Sequence, residues 1–204
     1  RERLLAGVAT TIAMSVVAII GSMVVGVLLA IANQDRPGRL WRWLVFLPSR
    51  LLTNAARMTP PILQLYIVFF GLGGFLATRY GLTVNGFVVA AIVFSVYAGA
   101  SNAAVLGPAL ERWIASAPEA SLPQQVGHAV EQCFEALVSI MVNIVKAAGM
   151  ATVIAVPEVI SVVTRLIGEG GHAVSLMTLL LVFYFGFVLL VMLLLERLKR
   201  VIQP

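Results

Sequence analysis

Apolar residues in this chain come as long, nearly unbroken runs, not at the alternating or 3.6-residue spacing of half-buried strands and helices. The runs reach or exceed the roughly 20 residues that cross a bilayer. The pattern predicts five spans, at 4–32, 54–76, 84–106, 134–163 and 173–195, within a single transmembrane domain covering 1–204. Polar punctuation separates them. Asn33-Gln34-Asp35-Arg36-Pro37-Gly38-Arg39 ends the first span with charge and a Pro-Gly turn signal. At 40–52, Trp41, Arg42, Trp43 and Arg50 alternate with aliphatics, a mixture that favours the headgroup zone and predicts an interfacial segment. Thr78-Arg79-Tyr80-Gly81 closes the second span. Between 107 and 130 the hydropathy falls at Glu111, Arg112, Glu119, Gln124, Gln125 and His128. The fourth span is interrupted by Lys146, Pro157 and Glu158, which predicts a helix, a kink and a second short helix. The last is the cleanest, and Glu196-Arg197-Leu198-Lys199-Arg200 stops it.

Composition agrees: 60% of residues are hydrophobic and 11% charged, against about 25% charge in a soluble domain. A water-soluble enzyme, a disordered tail and a disulfide scaffold are excluded, the last also because Cys133 is the single cysteine. The net charge of +5 would raise nucleic acid as a partner of a soluble domain. Here the basic residues sit mostly between apolar runs, where they report orientation instead. Arg36, Arg39, Arg42, Arg50, Arg112, Arg197, Lys199 and Arg200 fall on one side; Arg1, Arg3, Arg79 and Arg165 fall on the other. The bias predicts an outside N-terminus and a cytoplasmic C-terminus. The first run is too long for a signal-peptide core and lacks a small-residue cleavage site. Arg1 in place of methionine points to numbering that starts inside a longer chain.

Small residues recur every fourth position, as Gly7, Thr11 and Ser15, as Ala18, Ser22, Gly26 and Ala30, and as Gly99, Ala103 and Gly107. Such series let helix backbones approach closely. Intramembrane polar groups are candidates for function because each is costly to place in lipid. The double proline after Arg57-Met58-Thr59 forces Thr59 and Pro60 out of helical geometry, with Gln64 and Tyr66 about a turn beyond. Such a break is tolerated within a membrane only against protein or a water-filled path; an interfacial cap is the plainer reading. Lys146 has no carboxylate close by in its span, and Asn102 and Asn143 either line a path with it or hydrogen-bond between helices. Leu110, Trp113, Ile114 and Ala117 recur at helical spacing, a short amphipathic helix bounded by Pro108 and Pro118 that suits the membrane surface or a partner's groove. No Ser/His or Asp/Asp constellation, metal-ligand spacing or Gly-rich phosphate loop is present, so no catalytic site is expected in this chain.

In sum of motifs the chain resembles the permease subunits of polar amino acid ABC importers. The first span matches that family's G-x-x-x-T opening at Gly7-Val8-Ala9-Thr10-Thr11-Ile12, with Ser15 and Gly26 beyond. Arg57-Met58-Thr59-Pro60-Pro61-Ile62-Leu63-Gln64-Leu65 and Phe70-Gly71-Leu72 follow the R-G-T-P-x-x-x-Q-L and F-G-L of its second span. Lys146, Val153-Ile154 and Pro157-Glu158 keep elements of its fourth, and Glu196-Arg197 its closing pair. The loop that docks the family's ATPase reads G-Q-x-E-A-A-x-x-L-G. Here only Glu119-Ala120 remain of it, the stretch from Tyr97 to Lys146 is shorter than usual, and Ala100 stands near an acidic family position.

The resemblance implies an all-α, five-span, MetI-like type I ABC importer permease fold, with the first span wrapping a partner permease. It implies a second, different permease chain, cytoplasmic subunits that bind and hydrolyse ATP with Mg, an extracytoplasmic solute-binding protein, and a bacterial inner membrane. No cofactor is expected in this chain. The substrate pathway is expected at Thr59, Pro60, Gln64, Asn102, Asn143 and Lys146, with Gln64 touching solute. A gate is expected at Pro157 and Glu158, and ATPase coupling at Leu110, Trp113, Ile114, Glu119 and Ala120. Two other readings stay open: a non-transporting accessory subunit with an eroded loop, and a secondary transporter that uses Lys146 as its ion-coupled charge.

Overall fold

A computed structural model describes residues 2–202, with the side chains of residues 2–200; Arg1, counted above for orientation, lies outside the described residues. Eight helical elements follow one another: α1 (Glu2–Ala32), α2 (39–58), α3 (Pro61–Tyr80), α4 (Gly86–Ser116), α5 (Leu122–Gln132), α6 (Phe134–Ile154), α7 (Val159–Gly168) and α8 (Ala173–Ile202). Helices α1, α3, α4, α6 and α8 are long and apolar enough to cross a membrane.

The pairing of α1 with α4 is the spine of the molecule, and small residues make it. Gly7, Thr11, Ser15, Ala18, Ser22, Gly26 and Ala30, each four residues from the next or nearly so, are all buried on one face of α1. A methyl group on Gly26 would stand 2.5 Å from Asn102 Cβ, and one on Gly99 would stand 2.7 Å from Val25. Neither fits, so glycine is what brings the two backbones this close. Within this chain α1 lies along α4. Its opposite face, with Ile12, Val16, Ile20, Val24 and Leu28, remains open and apolar.

Two apolar clusters fill the interior. One joins Met14, Leu65, Phe94, Ile144 and Ile154, drawn from α1, α3, α4 and α6. The other joins Leu29, Leu106, Leu110, Ala129 and Leu137, which ties α5 to the same frame. Helix α8 covers little of either; most of its aliphatic surface faces outward, as suits a helix bathed in lipid.

Element boundaries differ from the sequence reading in two places, each for a physical reason. Asn54 does not open a span. It lies inside α2, whose π turn at Arg42–Phe46 stands just ahead of Pro48 and accommodates that proline's missing donor. The chain then breaks at Thr59-Pro60, and the apolar helix starts at Pro61, the position where proline is best tolerated. Pro108 does not begin a separate amphipathic helix either. Helix α4 runs through it to Ser116. Ala103, Leu106, Ala109 and Leu110 are buried on both sides of the proline, whose own ring is exposed. That burial offsets a proline cost of about 3 kcal/mol.

Candidate translocation face

Helix α6 carries its polarity the wrong way round for a lipid-facing helix. Phe134, Leu137, Met141, Val142, Ile144 and Val145 point into the chain and are buried. Glu135, Ser139, Asn143 and Lys146 occupy the open side. Lys146 lies twelve residues beyond Phe134, about 18 Å at 1.5 Å per residue, so it stands near the middle of a hydrocarbon core about 30 Å thick. Among the described residues it has no ion-pair or hydrogen-bond partner. Exposing an unpaired charge to lipid at that depth costs a few kcal/mol or more, so this face belongs against water or protein.

The two backbone breaks meet beside it. Pro61–Tyr66, the first turns of α3, pack on Ala148–Ile154, where α6 tightens into a 3-10 helix. Leu65 is fully buried there with Ala148, Ala151 and Ile154. The α2–α3 break is held by Gln64, whose Nε2 donates to the carbonyls of Ala56 (2.7 Å) and Thr59 (2.8 Å). These are carbonyls a helix end leaves without partners. The α6–α7 joint turns at Ala155, which sits in the left-handed region with φ of 59°. Glu158 then caps α7: its carboxylate accepts from the backbone N–H groups of Ile160 (2.8 Å) and Ser161 (2.7 Å) and is 1% exposed. Thr11 of α1 accepts from the Val159 N–H at 3.1 Å, locking the joint to the spine. Pro157 stays exposed. From α8, the Tyr184 hydroxyl is buried beside Gly149 with no hydrogen-bond partner among the described residues.

Of the residues expected along a pathway, Asn143 and Lys146 share the open face, and Thr59 and Pro60 mark the neighbouring break, half-buried and exposed respectively. Asn102 is corrected. It is fully buried between α4 and α1, where its amide serves helix packing. Gln64 is corrected as a solute contact, because both its amide protons are directed at backbone carbonyls. The expected docking helix is corrected too. Leu110 is 2% exposed in the core, Ile114 is half-buried, and the Trp113 ring stacks on His128 of α5 with centroids 4.3 Å apart. What reaches outward between α4 and α5 is the turn carrying exposed Glu119 and half-buried Ala120. The sequence reading missed Ser139 and the polar cluster of Asn33, Ser49 and Thr53, in which Ser49 donates to Asn33 Oδ1 at 2.7 Å and Asn33 donates to Thr53 at 3.1 Å. The buried spacing of Ser49, Thr53 and Ala56 on α2 was the available signal.

No protein-family model matches the chain. A Rickettsia conorii protein named as a glutamine transport system permease, GlnP, is 31% identical over an alignment of 155 positions that covers 69% of this chain. The chain spans 65% of that relative's length. Among solved structures, a chain from an amino acid ABC transporter crystallised with histidines superposes with a TM-score of 0.78 at 14% identity, covering 98% of this chain and 94% of its own. A chain from an inward-facing MetNI methionine ABC transporter superposes with a TM-score of 0.74 at 20% identity, covering 98% and 96%. Helix for helix, the chain has the all-α, five-span fold of the ABC importer permeases.

Proposed function

We propose that this chain is a transmembrane permease subunit of an ABC importer for amino acids or similar small polar solutes. The observation that carries the reading is the polar side of α6, where Ser139, Asn143 and Lys146 are open and have no partner among the described residues, which fits one wall of a water-filled path completed by a second permease chain. The likeness to the Rickettsia conorii permease and to the two transporter structures supports it. The second permease is a different chain, cytoplasmic ATPase subunits supply the energy, and an extracytoplasmic binding protein delivers the solute. The site is a bacterial inner membrane, with the N-terminus outside and the C-terminus in the cytoplasm, as the arginine and lysine distribution supports.

The mechanism is alternating access. The turn at Glu119-Ala120 and the exposed side of α5 receive the motion of the ATPase, and α5 passes it to α4 and α6 through Leu110, Ala129 and Leu137. The joints at Thr59-Pro60 and Ala155–Glu158 are the places where the spans bend, since helical hydrogen bonding is already interrupted there. Gentle purification from native membranes followed by ATP-driven uptake of L-glutamine in proteoliposomes tests the reading. Co-purification of a second permease and an ATPase, with uptake that stops without ATP, is expected. Uptake driven by an ion gradient alone would replace it with a secondary transporter, and a complex without an ATPase would replace it with an accessory subunit.

A further inference from the structure

We infer that the elbow between α1 and α2 is a binding site for the headgroup phosphate of an anionic phospholipid. Arg36, Arg39 and Arg42 line one groove of about 500 Å³ together with Gly38 and Trp43. Gly38 turns the chain between the first two arginines, at a φ of 137° that favours glycine. Only Arg42 has a carboxylate beside it, that of Asp35 at 3.6 Å, and both partners are exposed enough for the pair to hold weakly. Arg36 and Arg39 have no ion-pair partner among the described residues. Arg36 is instead held in place, its guanidinium carbon 5.0 Å over the Trp41 ring. That ring is anchored in turn, since the Trp41 indole N–H donates to the Gln34 carbonyl at 3.1 Å. An arginine resting over a fixed ring keeps its N–H donors for an anion.

The surroundings select a lipid as the source of that anion. Leu40, Trp43 and Leu44, in the first turns of α2, are 75%, 64% and 68% exposed. This apolar surface gives nothing to a soluble phosphate and suits the acyl chains beneath a headgroup, at the depth where Trp and Arg settle. Three arginines against one aspartate leave the groove at +2. It therefore attracts an anionic headgroup and gains less from phosphatidylcholine, whose phosphate carries its own cation.

The test uses the full chain, purified in detergent with the subunits that accompany it and offered equal amounts of phosphatidylglycerol and phosphatidylcholine with the same acyl chains. Native mass spectrometry counts the lipids that stay bound. The wild type is expected to retain phosphatidylglycerol preferentially. Arg36→Gln combined with Arg39→Gln is expected to lower that preference about tenfold or more, since each basic side chain at a lipid surface contributes roughly fivefold. Trp41→Leu keeps every charge, removes the ring under Arg36 and is expected to lower the preference about threefold; it serves if the double variant does not fold. Arg79→Gln combined with Arg165→Gln removes the same charge from exposed positions on the other side of the bilayer and is expected to leave the preference unchanged. A wild type without preference overturns the inference, and so does a control variant that loses as much as the elbow variant, which would reduce the effect to overall charge. Displacement of phosphatidylglycerol by millimolar inorganic phosphate would make the groove a site for a soluble anion. An elbow variant that sheds an accompanying subunit yet keeps its lipid preference would assign the arginines to that subunit, against the lipid.

Discussion

Asn102 on α4 donates its side-chain amide to the carbonyl oxygen of Ser22 on α1 at 3.1 Å, and both residues are fully buried. The bond lies at a close approach of the two helices, since Gly26 faces Asn102 Cβ one turn along. Asn102→Ala is expected to cost about 1 kcal/mol, the usual size of a hydrogen bond between membrane helices. Gly26→Val is expected to cost more, about 2–3 kcal/mol, because overpacking drives the backbones apart. Thermal unfolding of the detergent-solubilised protein reads both. A Gly26→Val protein that melts like the wild type would show that α1 does not depend on this contact.

Gln64 holds the break between α2 and α3 by donating to Ala56 and Thr59. Gln64→Leu strands two carbonyls beside the proline and is expected to lower stability by about 1–3 kcal/mol. Solute preference is expected to stay as it was. A variant of normal stability with altered preference would return Gln64 to the solute path.

The contrast between Gln64 and the spans shows what the sequence carried and what it did not. Spans follow from run length, a local property, and the α1–α4 contact was written in a four-residue spacing that has one physical use. The role of Gln64 depends on where Pro60 leaves the chain, and that of Asn102 on which helix crosses α4. Both are settled by tertiary geometry, so an intramembrane amide reads alike as ligand or as packing. Leu110, Trp113 and Ile114 were correctly placed on one helical face, yet periodicity does not say what covers the face. Here it is α5, with His128 on Trp113. Lys146 was legible because its position is costly whatever packs nearby.

Ala155 takes a left-handed conformation at the α6–α7 joint without being glycine. For an L-residue that conformation costs about 1 kcal/mol or more. Ala155→Gly is expected to be near neutral, since relief of strain is offset by glycine's greater freedom in the unfolded chain. Ala155→Val is expected to lose about 2 kcal/mol, because a β-branched side chain tolerates the conformation poorly. Equal melting temperatures for the Val and Gly variants would contradict the left-handed turn.

Cys133 lies between α5 and α6, with its thiol donating to the Val105 carbonyl at 3.5 Å. Burial pushes this thiol above the ordinary cysteine value, and the Arg112 guanidinium opposes the shift without cancelling it. The thiolate is the reactive form. Labelling by N-ethylmaleimide is therefore expected to be slow at pH 7, and to go on rising with pH after labelling of a free thiol such as glutathione has levelled off. Removing the opposing charge moves the thiol further in the same direction, so Arg112→Ala is expected to slow labelling again at a fixed pH. Faster labelling of Arg112→Ala would mean that the arginine shields the thiol sterically, and that its charge is too far away or too well solvated to matter. The experiment also reports on the hairpin of α4 and α5, because Arg112 and Cys133 stay close only while α5 remains folded back against α4. Labelling that accelerates when the ATPase subunits bind would show that this hairpin opens as it receives them.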